Sequence, residues 1–349
     1  MKRFSLLHEH MRQAAIMRKR RREKRRIIAF HIRRDCRKSG QTRKSQYSQF
    51  GARPYLDVFA PTNFTIQNLE NVLVFLQNTE RQCKNSNSKV VLKVNLNDIV
   101  EIDSYAICFL LSMLNRMSHK NISYWGTYPD HQEAKDYIIE SGFLNLVKSN
   151  IKRPSNNRFV NRIFMIGKEN VDSHRIGKAV RDSMAFITGR EECYPPVYEN
   201  ILEICANSVE HGNVNTQDKN WLVSISFEEG KVHYILVDTG VGILATLKKK
   251  FSQKVKDATI RADTQILCSA FRKEYQSATG EINRHKGLPI IYESFTEGYV
   301  SDLIVVTNKV YYDFGRGISR ELKYGYSGVL YSWTISKSNY DKWNKSLVL

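Results

Sequence analysis

No stretch of this chain approaches the roughly 18 consecutive apolar residues of a membrane-spanning helix. The longest apolar run, residues 106–114, is about half that length and is broken by Ser112. The basic start is not followed by the apolar core of a secretory signal. The six cysteines (Cys36, Cys83, Cys108, Cys193, Cys205 and Cys268) include no C-x-x-C pair, which removes the common zinc and dithiol motifs. Inert thiols in a reducing compartment are the simplest account. The expectation is a cytoplasmic protein with no membrane span.

Charge is present but uneven. The 349 residues carry a net +19, yet residues 1–45 alone hold 17 Lys and Arg against 3 Asp and Glu, a net +14. The remainder is nearly balanced. The tail, residues 1–50, contains the run Arg18-Lys19-Arg20-Arg21-Arg22 and too few apolar residues for a core. It reads as a surface helix or a disordered arm. An arm of this charge suits nucleic acid or another polyanion. A solvated charged helix without a partner accounts for it equally well.

Beyond the tail the apolar share is that of a globular protein, and the length allows two domains. Residues 51–150 alternate strand-like and helix-like patterns: strands at 55–60, 89–96 and 121–125, helices at 66–82, 104–117 and 130–141. The order βαβαβα predicts a small α/β layer structure. The third segment, 160–340, predicts helices at 173–187, 196–211 and 288–296, and two more across 244–272. Its strands are expected at 221–228, 231–237, 302–307, 309–313 and 329–335, with a hairpin turn at Glu229-Gly230. That order predicts an α+β sandwich on a mostly antiparallel sheet.

Three pieces of this last segment carry chemistry. On the helix 196–211, Glu203, Asn207 and His211 are spaced by four and share one face. The amide oxygen of Asn207 suits Mg²⁺, and the carboxylate of Glu203 can take a proton from water or a hydroxyl. The apolar strand Ile235-Leu236-Val237 ends in Asp238, followed by Thr239-Gly240-Val241-Gly242-Ile243. A buried carboxylate there can accept a hydrogen bond from an amino group such as that of adenine. Further on, Thr279 opens a loop reaching Lys286-Gly287-Leu288 at a helix start, where backbone N–H groups and the lysine would meet a phosphate.

In this order the three pieces resemble the N box, the D-x-G-x-G box and the second glycine box of the GHKL ATPase superfamily. The stretch 199–211, ENILEICANSVEH, is similar to that of anti-sigma-factor kinases. The resemblance covers about residues 170–337 and implies the Bergerat α/β sandwich, ATP and Mg²⁺. It implies Glu203 as general base, Asn207 as Mg²⁺ ligand and Asp238 as reader of adenine. Gly240 and Gly242 would hinge a lid running from Leu244 to Lys286. It departs from the pattern where His285 and Pro289 replace the outer glycines of the second box, and where Gly328-Val329 stands for the usual Gly-Thr.

The 51–150 segment resembles a STAS domain, on Val90-Val91-Leu92-Lys93-Val94, Ile102-Asp103-Ser104 and the helix that follows. Tyr105 and Ala106 replace the usual second Ser and Gly. Helix capping by Asp103 or Ser104 is favoured over a phosphorylation site.

The resulting expectation is an ATP-driven regulatory switch with slow Mg²⁺-dependent hydrolysis and a protein partner. The alternatives are a serine kinase of the anti-sigma-factor type and an ATPase module of a nucleic-acid-associated complex. A histidine kinase is disfavoured, because His174, the only histidine between 132 and 200, lacks a following acid.

Overall fold

In the computed structural model, the described residues are 55–85, 90–147, 162–168, 171–211, 220–250, 262–273 and 287–347. The basic tail lies outside them. The fold is α+β.

The first part builds the expected βαβαβα order. Strand β1 (Tyr55–Phe59) and the two-residue β2 (Asn63–Phe64) precede helix α1 (Leu69–Asn85). Strands β3 (Val91–Asn95) and β4 (Glu101–Ile102) lead to α2 (Ser104–His119). Strand β5 (Ser123–Gly126) and α3 (Gln132–Glu140) complete it. β1, β3 and β5 form a parallel sheet in that order. Parallel neighbours need crossovers, and the helices supply them. Asp103 caps α2: one carboxylate oxygen accepts from Ala106 N at 2.8 Å, the other from Ile66 N at 2.7 Å. The same side chain therefore fixes the start of α2 and the short helical turn before α1. Ser104 is nearly buried and its hydroxyl bonds Tyr137 at 2.9 Å.

The second part is a five-stranded antiparallel sheet. Its strands are β6 (Arg162–Lys168), β7 (Asn220–Glu228), β8 (Lys231–Asp238), β9 (Ser301–Asp313) and β10 (Ile318–Ser336). Their order is β6-β7-β8-β10-β9. The β7–β8 turn falls at Glu229-Gly230, with Gly230 at φ 70°, a conformation glycine reaches without strain. Strand β6 and the final helix α9 (Lys337–Ser346) add to the expected order, and 302–307 and 309–313 join as one strand.

Helices α4 (Ser173–Thr188), α5 (Pro195–His211), α7 (Asp263–Phe271) and α8 (Gly287–Thr296) contribute to a core on one face of this sheet. Ile176, Val180, Val197, Ile201, Ile266 and Phe271 meet Val223, Tyr234, Leu236, Tyr331 and Trp333 there. The opposite face is not left to water. Leu222, Ile235, Val237, Val306 and Leu330 join a core with α1 and α2, through residues such as Leu73, Leu76, Phe109 and Met113. Successive residues of a strand point to opposite faces. The unbroken apolar run 234–237 is therefore required, since both faces of β8 are covered. Residues 55–349 cluster as one compact unit.

Candidate nucleotide site

Helix α5 carries two of the expected site residues. Glu203 and Asn207 are half-buried. Neither side chain makes a hydrogen bond or ion pair with another described residue. Helix α8 begins against them: a Cβ on Gly287 would lie 2.7 Å from the Asn207 amide nitrogen and 3.0 Å from a Glu203 carboxylate oxygen. Any larger residue would push the helix start away. The chain thus brings two boxes 80 residues apart into contact through a glycine. Leu288 follows, half-buried against the helical core. His211 is the last residue of α5. Its side chain, Thr279 and Lys286 lie outside what the structure describes.

Asp238 ends β8 and is buried. One carboxylate oxygen accepts from Gly240 N at 2.8 Å and from Val329 N at 3.1 Å. The other oxygen accepts nothing from the described residues. Burial raises the acid's pKa from 3.8 to about 6, against the lowering effects of those two N–H groups and of the Arg116 charge. A carboxylate with one oxygen satisfied and one spare, in a dry place, is suited to receive a donor.

The link between Asp238 and α5 is the carbonyl of Asn220. It accepts from Ser208 Oγ at 3.1 Å, from Thr239 N at 3.1 Å and from Thr239 Oγ1 at 3.3 Å. Ser208 neighbours Asn207, and Thr239 follows Asp238. The buried Cys205 of α5 has its pKa raised, chiefly by desolvation and also by the charge of Asp238. Glu203, Asn207, Asp238 and Gly287 are therefore linked at one end of the sheet. The side-chain amide of Asn220 is itself buried without a partner.

The turn after Asp238 is held by residues that the sequence did not announce. Gly242 has φ 90°, and a Cβ there would lie 2.5 Å from Asn308 Oδ1. Gly240, in contrast, serves through its N–H. The next helix, α6 (Ile243–Lys250), starts at the expected Ile243. Thr307 Oγ1 accepts from Ile243 N at 3.0 Å, and Asn308 Oδ1 accepts from Leu244 N at 3.1 Å and Ala245 N at 3.3 Å. Asn308 also donates to Val241 O at 2.9 Å. A cap supplied from a strand 64 residues away has no local sequence signature; the T-N pair in an apolar strand is the only hint. Thr307 also donates to Gly328 O at 3.1 Å, beside the position where the usual Gly-Thr is replaced. Gly328 has φ 128°, and a Cβ there would collide with the Asp238 carbonyl oxygen at 2.1 Å.

Two helices lie in the segment expected to be a lid. α6 is clamped as described, and Lys248 pairs with Asp263 of α7 at 2.6 Å. α7 buries Ile266, Leu267 and Phe271 in the core.

Among the described residues, no group of three or more His, Cys, Asp or Glu could hold a metal ion. Among the described residues no helix is long and apolar enough to cross a membrane. No protein-family model matches the chain, and no curated protein is significantly similar to it.

Proposed function

We propose that this protein binds Mg·ATP at the end of the five-stranded sheet and uses it as a conformational switch, with slow hydrolysis. The observation that carries the reading is the convergence of Glu203 and Asn207 with Gly287, tied through Asn220 to Asp238. The spare oxygen of Asp238 would accept the adenine amino group. The start of α8 would offer its N–H groups and positive dipole end to the phosphates. Asn207 would hold Mg²⁺ through its amide oxygen, and Glu203 would take the proton of the attacking water. Bound Mg²⁺ would shield the phosphate charge and orient the transferred group. In this reading the second part of the chain is a GHKL-type domain and the first a STAS-like one.

The same carboxylate would serve a protein hydroxyl as readily as water, which is how a serine kinase would use the site. Labelled ATP given to the purified full chain distinguishes the outcomes. Free phosphate supports the switch with hydrolysis. Label on a protein supports the kinase. Absence of both products, together with no binding in a calorimetric titration, overturns the nucleotide reading.

A further inference from the structure

The Asp238 end of the sheet is not finished by the sheet alone. Between Glu321 and Val329, strand β10 departs from regular pairing with β9, with register shifts on either side of Tyr326. Such an irregular stretch needs other partners for its polar groups. Helices α1 and α2 provide them. Gln77 of α1 donates to Gly325 O at 2.6 Å. Arg116 of α2 donates to Ser327 O at 3.0 Å and pairs with Glu80 of α1 at 2.6 Å. Its guanidinium also lies over the Tyr326 ring, 5.5 Å from the centroid. Ser112 of α2 bonds the Tyr326 hydroxyl at 2.8 Å, and that hydroxyl donates to the Asp238 carbonyl at 3.2 Å. Phe109 packs edge-on against the same ring.

Arg116 is only 6% exposed, and Tyr326 3%. A buried arginine is retained at a desolvation cost unless its donors are satisfied. Here one terminal nitrogen is spent on Ser327 O, in the segment that cradles Asp238, and the other on Glu80, while Nε is buried without a partner among the described residues. The two residues after Arg116's anchor point, Gly328 and Val329, are those that approach the Asp238 carbonyl and donate to its carboxylate.

We propose that Arg116 and Tyr326 are positioning residues for the nucleotide site. They lock the 325–329 segment against α1 and α2 and so hold Asp238 where it reads the base. The α/β part of the chain thereby becomes the input through which the site is regulated. Anything that shifts α2 along the sheet moves the Tyr326 hydroxyl and the Ser327 carbonyl together, and Asp238 with them. The affinity arm of this inference rests on the nucleotide reading; the coupling to Asp238 does not.

Among the described residues, the titratable and charged groups that bear on Asp238 are Arg116 from α2, Cys205 from α5, and Tyr326 and Tyr331 from β10. Of these, Arg116 is the only cation. Two variants test the proposal on the full chain. Tyr326→Phe deletes one hydroxyl and keeps the ring. Arg116→Met is made together with Glu80→Gln, so that no half-buried carboxylate is left without its partner. Arg116→Lys serves as the conservative rescue.

Two quantities are read on each protein: Mg·ATP affinity by calorimetry, and the titration of the Asp238 carboxyl carbon by NMR, assigned by its loss in Asp238→Asn. Tyr326→Phe should weaken ATP roughly 3- to 10-fold, the range expected for losing the one hydrogen bond from its hydroxyl to the Asp238 carbonyl. The Arg116→Met pair should weaken ATP and move the Asp238 midpoint to higher pH. Arg116→Lys should return the midpoint toward wild type. Wild-type affinity and an unmoved midpoint in folded variants would overturn the inference. Should the wild-type protein bind no nucleotide, the site reading falls, and the carboxyl titration alone decides whether Arg116 and Tyr326 hold Asp238.

Discussion

The carboxylate of Asp238 has one oxygen satisfied by two backbone N–H groups and lies in a place that raises its pKa from 3.8 to about 6. Between these values the unfolded chain releases the proton and the folded one keeps it. Stability therefore falls as pH rises through about 4 to 6, and the cost persists above. Replacing the acid removes that dependence. The stability of Asp238→Asn relative to wild type should rise by roughly 2.5 kcal/mol between pH 4 and pH 8, whatever constant offset the amide adds. Paired thermal melts at the two pH values check this; a constant difference would show that Asp238 is not ionising in a buried place. The same variant should lose at least ~2 kcal/mol of ATP affinity, because a buried acceptor becomes a mismatched donor. Glu203→Ala should keep ATP bound and abolish turnover, since a base acts only in the chemical step. If it loses ATP as Asn207→Ala does, Glu203 is structural. Glu203, Asn207 and Asp238 were legible because each sits in a short motif on a strongly periodic element. Asn220, Thr307 and Asn308 were not, because each acts on an element distant in sequence.

Among the elements, α6 shows most clearly what a distant strand can do. Its first turn is capped by Thr307 and Asn308 rather than by the residue before it. Asn308 itself has φ 51°, a region that asparagine tolerates better than most residues. Asn308→Ala removes the cap and leaves a β-carbon in a strained backbone. It should destabilise the protein by about 1–3 kcal/mol. Asn308→Gly should recover the backbone part only. Denaturant midpoints of the two variants separate the contributions; equal losses would mean the strain is negligible. The element boundaries at 173–188, 195–211 and 287–296 follow hydrophobic periodicity closely. Strand β10, in contrast, begins eleven residues before the expected 329, because its first half is polar and its pairing with β9 carries no alternation to read.

For the whole molecule, the continuous core of Leu222, Ile235, Val237 and Leu330 with α1 and α2 implies that residues 55–349 unfold together. Calorimetry on the chain should give one cooperative transition. Two well-separated transitions would mean that the α/β part is an independent domain. A version beginning after residue 150 should expose this apolar sheet face and bind a hydrophobic dye or aggregate. At the other end, the +14 of residues 1–45 should bind nucleic acid through phosphate contacts. That binding should weaken steeply with salt and vanish on deleting 1–45, with ATP affinity unchanged. No binding by the full chain at low salt leaves the tail as a solvated segment.

The sequence by itself determined the α+β class, the order of most helices and strands, and the three short motifs. These are local properties: residue spacing on a helix face, alternation along a strand, glycine at a turn. Tertiary structure alone decided that both faces of the antiparallel sheet are buried, because an unbroken apolar run such as 234–237 does not say what covers it. It alone placed Gly287 against Glu203 and Asn207, and Arg116 and Tyr326 behind Asp238. Those contacts join residues tens to hundreds of positions apart. They are fixed by how the layers pack, and no window of sequence contains both partners.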